Sequence, residues 1–531
     1  MTGYDAIVVG AGPNGLVAAN HLLDAGWSVL VLEAQPEVGG AVRSDTEVHP
    51  GFVHDTFSAF YPLAAASAPI GSLNLEQHGL VWEHAPAALG HALPDGRWAM
   101  LHRDRTVTAA LLEDEYAGDG DAWLALCEQW DRIGDQVVAG LLTPFPPVRP
   151  LVAGLARLPR ARELVRDLVS PVTELGRRRF GGDAPRLLLA GNAGHADIPL
   201  DGVGSGLMAL MLCLLGQTVG FPVPRGGAGE LTGAMARRAT SLGGEIRCGA
   251  EVTRIEVGEG RVRGVRLADG ERIEARHAVV ADTSAPALYG RLVDPEHLPW
   301  RVRAGMRRFE LDPATIKVDW ALDGPVPWQS EPPYAPGTVH VADSLEQLSE
   351  ALGQVAAGVV PSAPFLLSGQ MTTADPTRSP AGTESLWAYT HVPHLPREDA
   401  GGEGITGPWD DARAERLADR IQARFEALAP GFGSRVLARR VLGPHELERR
   451  DANLIGGALN GGTARPRQQL VLRPVPGLGR AETPVRGLYL GSASAHPGGG
   501  VHGAPGHNAA RAAIAHRRAR RLVHVRRQRH E

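Results

Sequence analysis

The sequence predicts an α/β protein of two interleaved domains, one Rossmann-like and one α+β, and three observations predict it. The chain has 531 residues, more than one core supports, because single hydrophobic cores stop growing at about 250–300 residues. Its N-terminus runs strand, glycine turn, helix, strand, which is the pattern of a βαβ unit. Its C-terminus returns to a strand that passes through glycine-rich sequence into a helix, so both ends contribute to one domain. The boundaries fall at 1–70, 222–300 and 470–531 for the Rossmann-like domain, and at 71–221 and 301–469 for the other.

Each element follows in order. Residues 4–9 are a short apolar strand, 15–25 a helix and 28–32 a second strand. From 63 to 221 helical segments alternate with prolines, and the Pro-rich stretch 143–150 reads as a bend. Residues 202–224 carry no charge, yet five glycines, Ser205, Gln217 and Thr218 dilute them. A membrane span needs about 20 predominantly apolar residues, so this run reads as a buried helix. A lining for an apolar substrate and a monotopic contact are its alternatives. Alternating strands return over 251–257, 261–267 and 276–280, with turns at 258–260 and Asp269-Gly270. A mixed region over 301–442 contains a strand at 315–322 and a helix at 411–428. The last strand, 487–490, leads to a helix starting near Ala504 or Pro505, where proline suits the first turn.

Composition narrows the function classes. A formal charge of -5 gives no basic face for nucleic acid. Cys127, Cys213 and Cys248 are widely spaced with no C-x-x-C, so no zinc site or redox disulfide is expected, and all three read as buried thiols. No metal is expected. The N-terminus enters a strand at once, without the basic and apolar regions of a secretory signal, so a cytoplasmic location is expected. The basic tail 511–529 reads as a solvated helix end favourable to the macrodipole, or as a peripheral contact for anionic lipid headgroups. Of 54 basic residues all but Lys317 are arginine. Such a lysine is either a chance survivor or a position that Arg's planar fork does not suit.

The chemistry begins at Gly10-Ala-Gly12-Pro13-Asn14-Gly15, between strand and helix. Glycines there permit the tight turn, close approach of a pyrophosphate and close helix packing, with phosphates at the helix N-terminus. Glu33, followed by Ala34, closes the second strand and is placed to take ribose hydroxyls. Next comes Val38-Gly39-Gly40-Ala-Val-Arg43, for which a nicotinamide domain has no use. This part resembles the flavin fold of glutathione reductase type, where the glycine doublet passes close to the cofactor and the Arg lies beside it. The C-terminal run from Gly487 through His496-Pro-Gly-Gly499-Gly500-Val501-His502 to Gly506 offers a second helix start. Unpaired N–H groups there stabilise the negative charge of a reduced flavin by about 0.3–2 kcal/mol.

The His-Pro-Gly-Gly-Gly run and Phe221-Pro-Val-Pro-Arg-Gly-Gly-Ala-Gly-Glu230 resemble phytoene desaturase-like proteins of the flavin amine oxidase superfamily, above all the phytoene dehydrogenase-related oxidoreductases. Asn453-Leu-Ile-Gly-Gly, Gln469-Leu, Arg473-Pro and Pro476-Gly-Leu extend the likeness along the whole chain. The resemblance implies FAD as cofactor. Val252 would meet the adenine through its backbone. Gly499, Gly500 and Val501, in a cofactor-gripping stretch that begins at His496, would approach the isoalloxazine, with Arg43 at its border. Ser492 departs from the pattern, standing where related flavoproteins often carry a second glycine or an acid near the ribityl chain. Thr315-Ile-Lys317-Val-Asp-Trp320 resembles the strand on which flavin amine oxidases place a lysine that holds water near flavin N5. The other reading of Lys317 is a strand-end surface lysine. His54 with Asp55, His195 with Asp197, and His502 are acid–base candidates for C–H dehydrogenation. A hydrogen-bonded structural role is the alternative for each.

The resulting expectation is an FAD-dependent dehydrogenase or desaturase of a small, apolar substrate. A hydride passes from a substrate carbon to flavin N5, and oxygen or a quinone reoxidises the flavin. Gly226-Gly-Ala-Gly229 lacks the strand and acid that a nicotinamide site wants. The rivals are an amine oxidase using Lys317, a redox-neutral isomerase of polyenes, and a non-catalytic flavoprotein acting through partners.

Overall fold

Apolar runs at the start of the chain make strands that are buried on both faces, and the sheet grows around them. The computed structural model describes residues 3–144, 146–148, 150 and 162–528. Parts of the Pro-rich stretch 143–150 and the end of the basic tail 511–529 lie outside the described residues. In chain order the principal elements begin with β1 (Tyr4–Val9), α1 (Pro13–Asp24), β2 (Val29–Leu32), β3 (Ala87–Ala92), β4 (Trp98–Leu101), α2 (Asp119–Leu142), α3 (Asp183–Ala193) and α4 (Ser205–Thr218). Then come α5 (Gly229–Ser241), β5 (Glu245–Arg247), β6 (Val252–Gly258), β7 (Arg261–Leu267) and β8 (Arg272–Ala281). The remainder are β9 (Ala314–Leu322), β10 (Pro336–Val341), β11 (Leu366–Gln370), β12 (Glu384–Val392), α6 (Asp411–Leu428), β13 (Val436–Leu442), β14 (Leu488–Leu490) and α7 (Ala504–Gln528).

The first sheet has the order β6-β7-β8-β1-β2-β5, with β14 also on β8. Around β1 it is parallel, through β8, β2 and β14, as crossover helices require. Helices α1, α5 and α7 bury Leu16, Val17, Leu231, Met235 and Ala509 on one face, against Ala6, Val8 and Val280. The other face, through Ile7, Val9 and Val279, is closed by Ile255 and Val265 of the antiparallel β6–β7 extension. Thus the C-terminal strand and helix join a sheet begun at the N-terminus, which puts both glycine-rich ends at the carboxyl ends of parallel strands. That crevice is where α/β sheets bind ligands.

The second sheet has the order β13-β9-β12-β11-β10-β3-β4. One face packs on Leu417, Ile421 and Phe425 of α6. The opposite face meets Trp123 and Trp130 of α2, Leu188 of α3 and Leu214 of α4. Strands β3 and β4 correct the helical reading of 63–221. The run Ala87–Ala92 is alanine, glycine, leucine and histidine, without β-branched residues, so its strand state comes from parallel pairing with β10 rather than from propensity.

A second correction concerns cysteine. Cys127 and Cys213 are buried in α2 and α4, whereas Cys248 is exposed. It follows β5, the edge strand of the first sheet. The uncharged run forms the buried helix α4, and among the described residues no helix is long and apolar enough to cross a membrane.

Candidate active site

Helix α1 opens with Gly12 as an extended N-cap, no side-chain cap and no acid in its first turn. Its N-terminal N–H groups and positive dipole end therefore suit an anion. A Cβ on Gly15 would stand 2.2 Å from the Gly10 carbonyl oxygen, so only glycine closes this turn. Helix α7 arrives at the same place, because a Cβ on Gly506 would lie 1.8 Å from the Asn14 carbonyl oxygen. Two helix N-termini thus converge. Gly39, at φ +124°, sends its N–H to Ala11 O at 2.9 Å, and a Cβ on Gly40 would come within 3.1 Å of Gly12 Cα. On the far side Gly499 lies against Asn460, and Gly500, at φ +104°, against Leu63 and His502. Gly12, Pro13, Gly40, Gly499, Gly500 and Val501 keep accessible surface along this cradle. A narrow space walled by backbone fits a dinucleotide carrying a flat ring system.

Glu33 accepts N–H bonds from Ala11 at 2.7 Å and Gln35 at 2.9 Å, which aims a buried carboxylate at the turn; Ala34 beside it is exposed. The Ala250 N–H donates to Glu33 O at 2.8 Å, so β6 starts at Val252 beside the end of β2. Arg43 donates to Gly40 O at 3.0 Å and Arg450 O at 2.8 Å and lies over the Phe57 ring. Ser492 is buried and accepts the Ser494 N–H at 3.2 Å, a contact within its own loop. His496 Nε2 donates to Thr143 O at 2.9 Å, and burial lowers its pKa. Two acids that sequence reasoning did not single out stand here as well. Asp282, just past β8, accepts the Gly15 N–H at 2.8 Å, and Asp451 comes within 3.5 Å of a Cβ on Gly40.

The four catalytic candidates, Lys317, His54, His195 and His502, divide between places. Register aligns Lys317 with Tyr389, Tyr389 with Leu367, Leu367 with His340 and His340 with His91, a row across five strands of the second sheet. Cross-strand partners share a face, here the face toward α3 and α4. Lys317 donates to Asp55 O at 2.9 Å and to the Asp319 carboxylate, which Arg440 also holds at 2.8 Å. Burial pushes the Lys317 ammonium down, while Lys317 and Arg440 outweigh burial and hold Asp319 below the ordinary carboxylate range. Lys317 is therefore a buried ion-pair member, 3% exposed, and not a strand-end surface lysine. His54 joins this network, donating to Trp320 O at 3.0 Å, with burial lowering its pKa.

His195 stands farther along the row. Its Nε2 meets His340 Nε2 at 3.2 Å and its Nδ1 meets the Tyr389 hydroxyl at 3.4 Å; burial lowers its pKa to about 3. His502 belongs to the helix start instead. Its Nδ1 accepts the Ala504 N–H at 3.2 Å, so Nε2 carries the proton and donates to Gly499 O at 3.3 Å. Along β12 only Tyr389 keeps appreciable accessible surface, although it sits mid-strand with neighbours on both sides. Trp387 stacks on Tyr389 at 6.0 Å, Phe60 stands 6.2 Å from Trp387, and Lys317 Nζ lies 5.8 Å from the Trp387 ring centre.

A backbone-walled dinucleotide cradle beside an internal aromatic wall defines an FAD-dependent oxidoreductase. The chain belongs to the flavin containing amine oxidoreductase family, whose model matches residues 150–514, and an NAD(P)-binding Rossmann-like domain matches residues 8–66. Pyridine nucleotide-disulfide oxidoreductase domain-containing protein 2 of Rattus norvegicus is 30% identical over 96% of this chain and 92% of that protein. A limonene dehydrogenase polypeptide of Castellaniella defragrans is 25% identical over 96% of this chain and 94% of that protein. A phytoene desaturase and a phytoene dehydrogenase are also among the relatives. An oxidoreductase structure from Methanosarcina mazei shares the fold with a TM-score of 0.59 at 16% identity, covering 96% of this chain and 99% of that one.

Proposed function

We propose that the chain is a dehydrogenase or desaturase of an uncharged, largely apolar small molecule held between the second sheet and helices α3 and α4. One observation carries the reading: the charges of the wall are spent on one another. Lys317 pairs with Asp319, and Asp55 pairs with Arg378 at 2.7 Å with both side chains fully buried. A substrate ammonium would find those carboxylates engaged, and the Lys317 ammonium already donates to Asp55 O and Asp319. Beside Tyr389 stand Trp387, with Phe60 beyond it, and the His391 ring at 5.7 Å, a mostly aromatic lining of the kind that binds apolar ligands. His195, kept neutral by burial, offers this wall a hydrogen bond and no charge. FAD held in the cradle by Gly12, Gly40 and Glu33 would supply the hydride acceptor for such an oxidation, with oxygen or a quinone as the final acceptor.

A relative named for dehydrogenating limonene supports an olefin-bearing substrate. The test is anaerobic bleaching of the flavin absorption with panels of olefins, amines and acyl compounds. Bleaching by a cyclic or polyene olefin is the expected result. Bleaching by amines alone overturns the reading in favour of an amine oxidase, and olefin rearrangement without net bleaching assigns the redox-neutral isomerase.

A further inference from the structure

We propose that Asp282 is an acid of the cofactor seat that must carry its proton while FAD is bound, so that FAD binding takes up a proton wherever the free protein has lost it. The geometry places the carboxyl at the turn itself. Its Oδ2 accepts the Gly15 N–H at 2.8 Å, and the same atom lies 2.8 Å from a Cβ built on Gly12 and 3.1 Å from one built on Gly15. Asp282 thus caps α1 from the neighbouring strand, the service that the helix's own first turn lacks. The open side of that turn, where Gly12 and Pro13 keep accessible surface, is the side left for the pyrophosphate.

Two anions do not share one helix end without cost. Around Asp282 the ionisable groups that act on it are Glu33 at the end of β2 and Asp451, both acids, and both raise its pKa. Arg43 acts on Asp451 and is itself bound to the Gly40 and Arg450 carbonyls. Asp282 is 5% exposed, and burial first, then Asp451 and Glu33, push it up to about 8 against the pull of the Gly15 N–H. At neutral pH the carboxyl is therefore a neutral acid, which still accepts the Gly15 N–H. Bound pyrophosphate raises the pKa further. The sign follows by linkage: above about pH 8 the free protein ionises, the complex does not, and FAD binding weakens by about tenfold per pH unit.

The proposal rests on FAD binding and not on the substrate assigned above. The test titrates FAD-stripped protein with FAD from about pH 6 to about pH 9, by calorimetry in buffers of different ionisation enthalpy. Wild-type protein is expected to bind with no proton exchange at Asp282 near neutrality and with uptake of close to one proton at the alkaline end. Asp282→Asn keeps the acceptor for Gly15 and should flatten the alkaline loss of affinity, binding tighter than wild type there. The proton count needs no variant, so a misfolded Asn protein leaves the test intact. Absence of alkaline proton uptake by the wild type overturns the proposal. So does an Asn variant with the wild-type slope, or a slope abolished by Asp451→Asn but not by Asp282→Asn.

Discussion

The cofactor cradle and the substrate wall solve recognition in opposite ways. In the cradle side chains are removed: Gly15, Gly40, Gly499 and Gly506 let backbone approach backbone, and recognition falls to N–H groups and helix ends. In the wall, side chains from separate strands are brought together and neutralise one another, as Lys317, Asp319 and Arg440 do. A backbone site tolerates no added atom. A side-chain site tolerates no missing partner.

The hardest blow to the comparison is Gly506→Ala. The added Cβ would stand 1.8 Å from Asn14 O, so the two helices must part; we expect about 3 kcal/mol of destabilisation and loss of FAD, read as the flavin-to-protein absorbance ratio after gel filtration. Retention of FAD at full occupancy would show that the converging helix ends are not needed. Next comes Lys317→Met. It strands the buried Asp319 with Arg440 alone and should cost about 3 kcal/mol in denaturant unfolding, with most of that recovered by adding Asp319→Leu. No recovery in the double variant would mean that Lys317 acts outside this pair.

Acid sharpens the contrast further. His195 is neutral in the fold, with its pKa lowered to about 3, and protonates readily when unfolded. Its contribution is complete above the unfolded imidazole value of about 6.5 and is lost as pH falls toward the folded value. His195→Leu should thus lessen the decline of stability between those limits, measured as Tm against pH. Tyr389→Phe is milder: stability changes by under about 1 kcal/mol and the FAD spectrum stays, while KM or kcat for the olefin shifts. Smallest of all, Cys248→Ser stays within about 0.5 kcal/mol, and in the native protein a thiol reagent should label Cys248 before the buried Cys127 and Cys213.

Legibility differed between the two regions for a physical reason. Glycine turns are local: Gly10 to Gly15 and Gly39-Gly40 announce backbone geometry within a few residues. The wall is non-local. Trp387 and Tyr389 meet Phe60 and His195 only through sheet pairing and helix packing, and nothing near any of them in sequence marks the encounter. Asp282 left a faint trace, an acid directly after the buried strand β8. Lys317 stood out by composition, yet its pairing with Asp319, two residues on, depends on the strand returning both side chains to one buried face. Strand β3 escaped notice because alanine and glycine carry little strand preference.

By itself, then, the sequence determined the dinucleotide turn, the glycine doublet, the second helix start and hence the cofactor, since each is a demand that backbone conformation places on neighbouring residues. Tertiary structure alone decided that the N-terminus of α7 packs onto α1, that Lys317 is neutralised by Asp319, and that Phe60, Trp387 and Tyr389 form one aromatic wall. Those are properties of distances between remote residues, which come into being only when the sheets close.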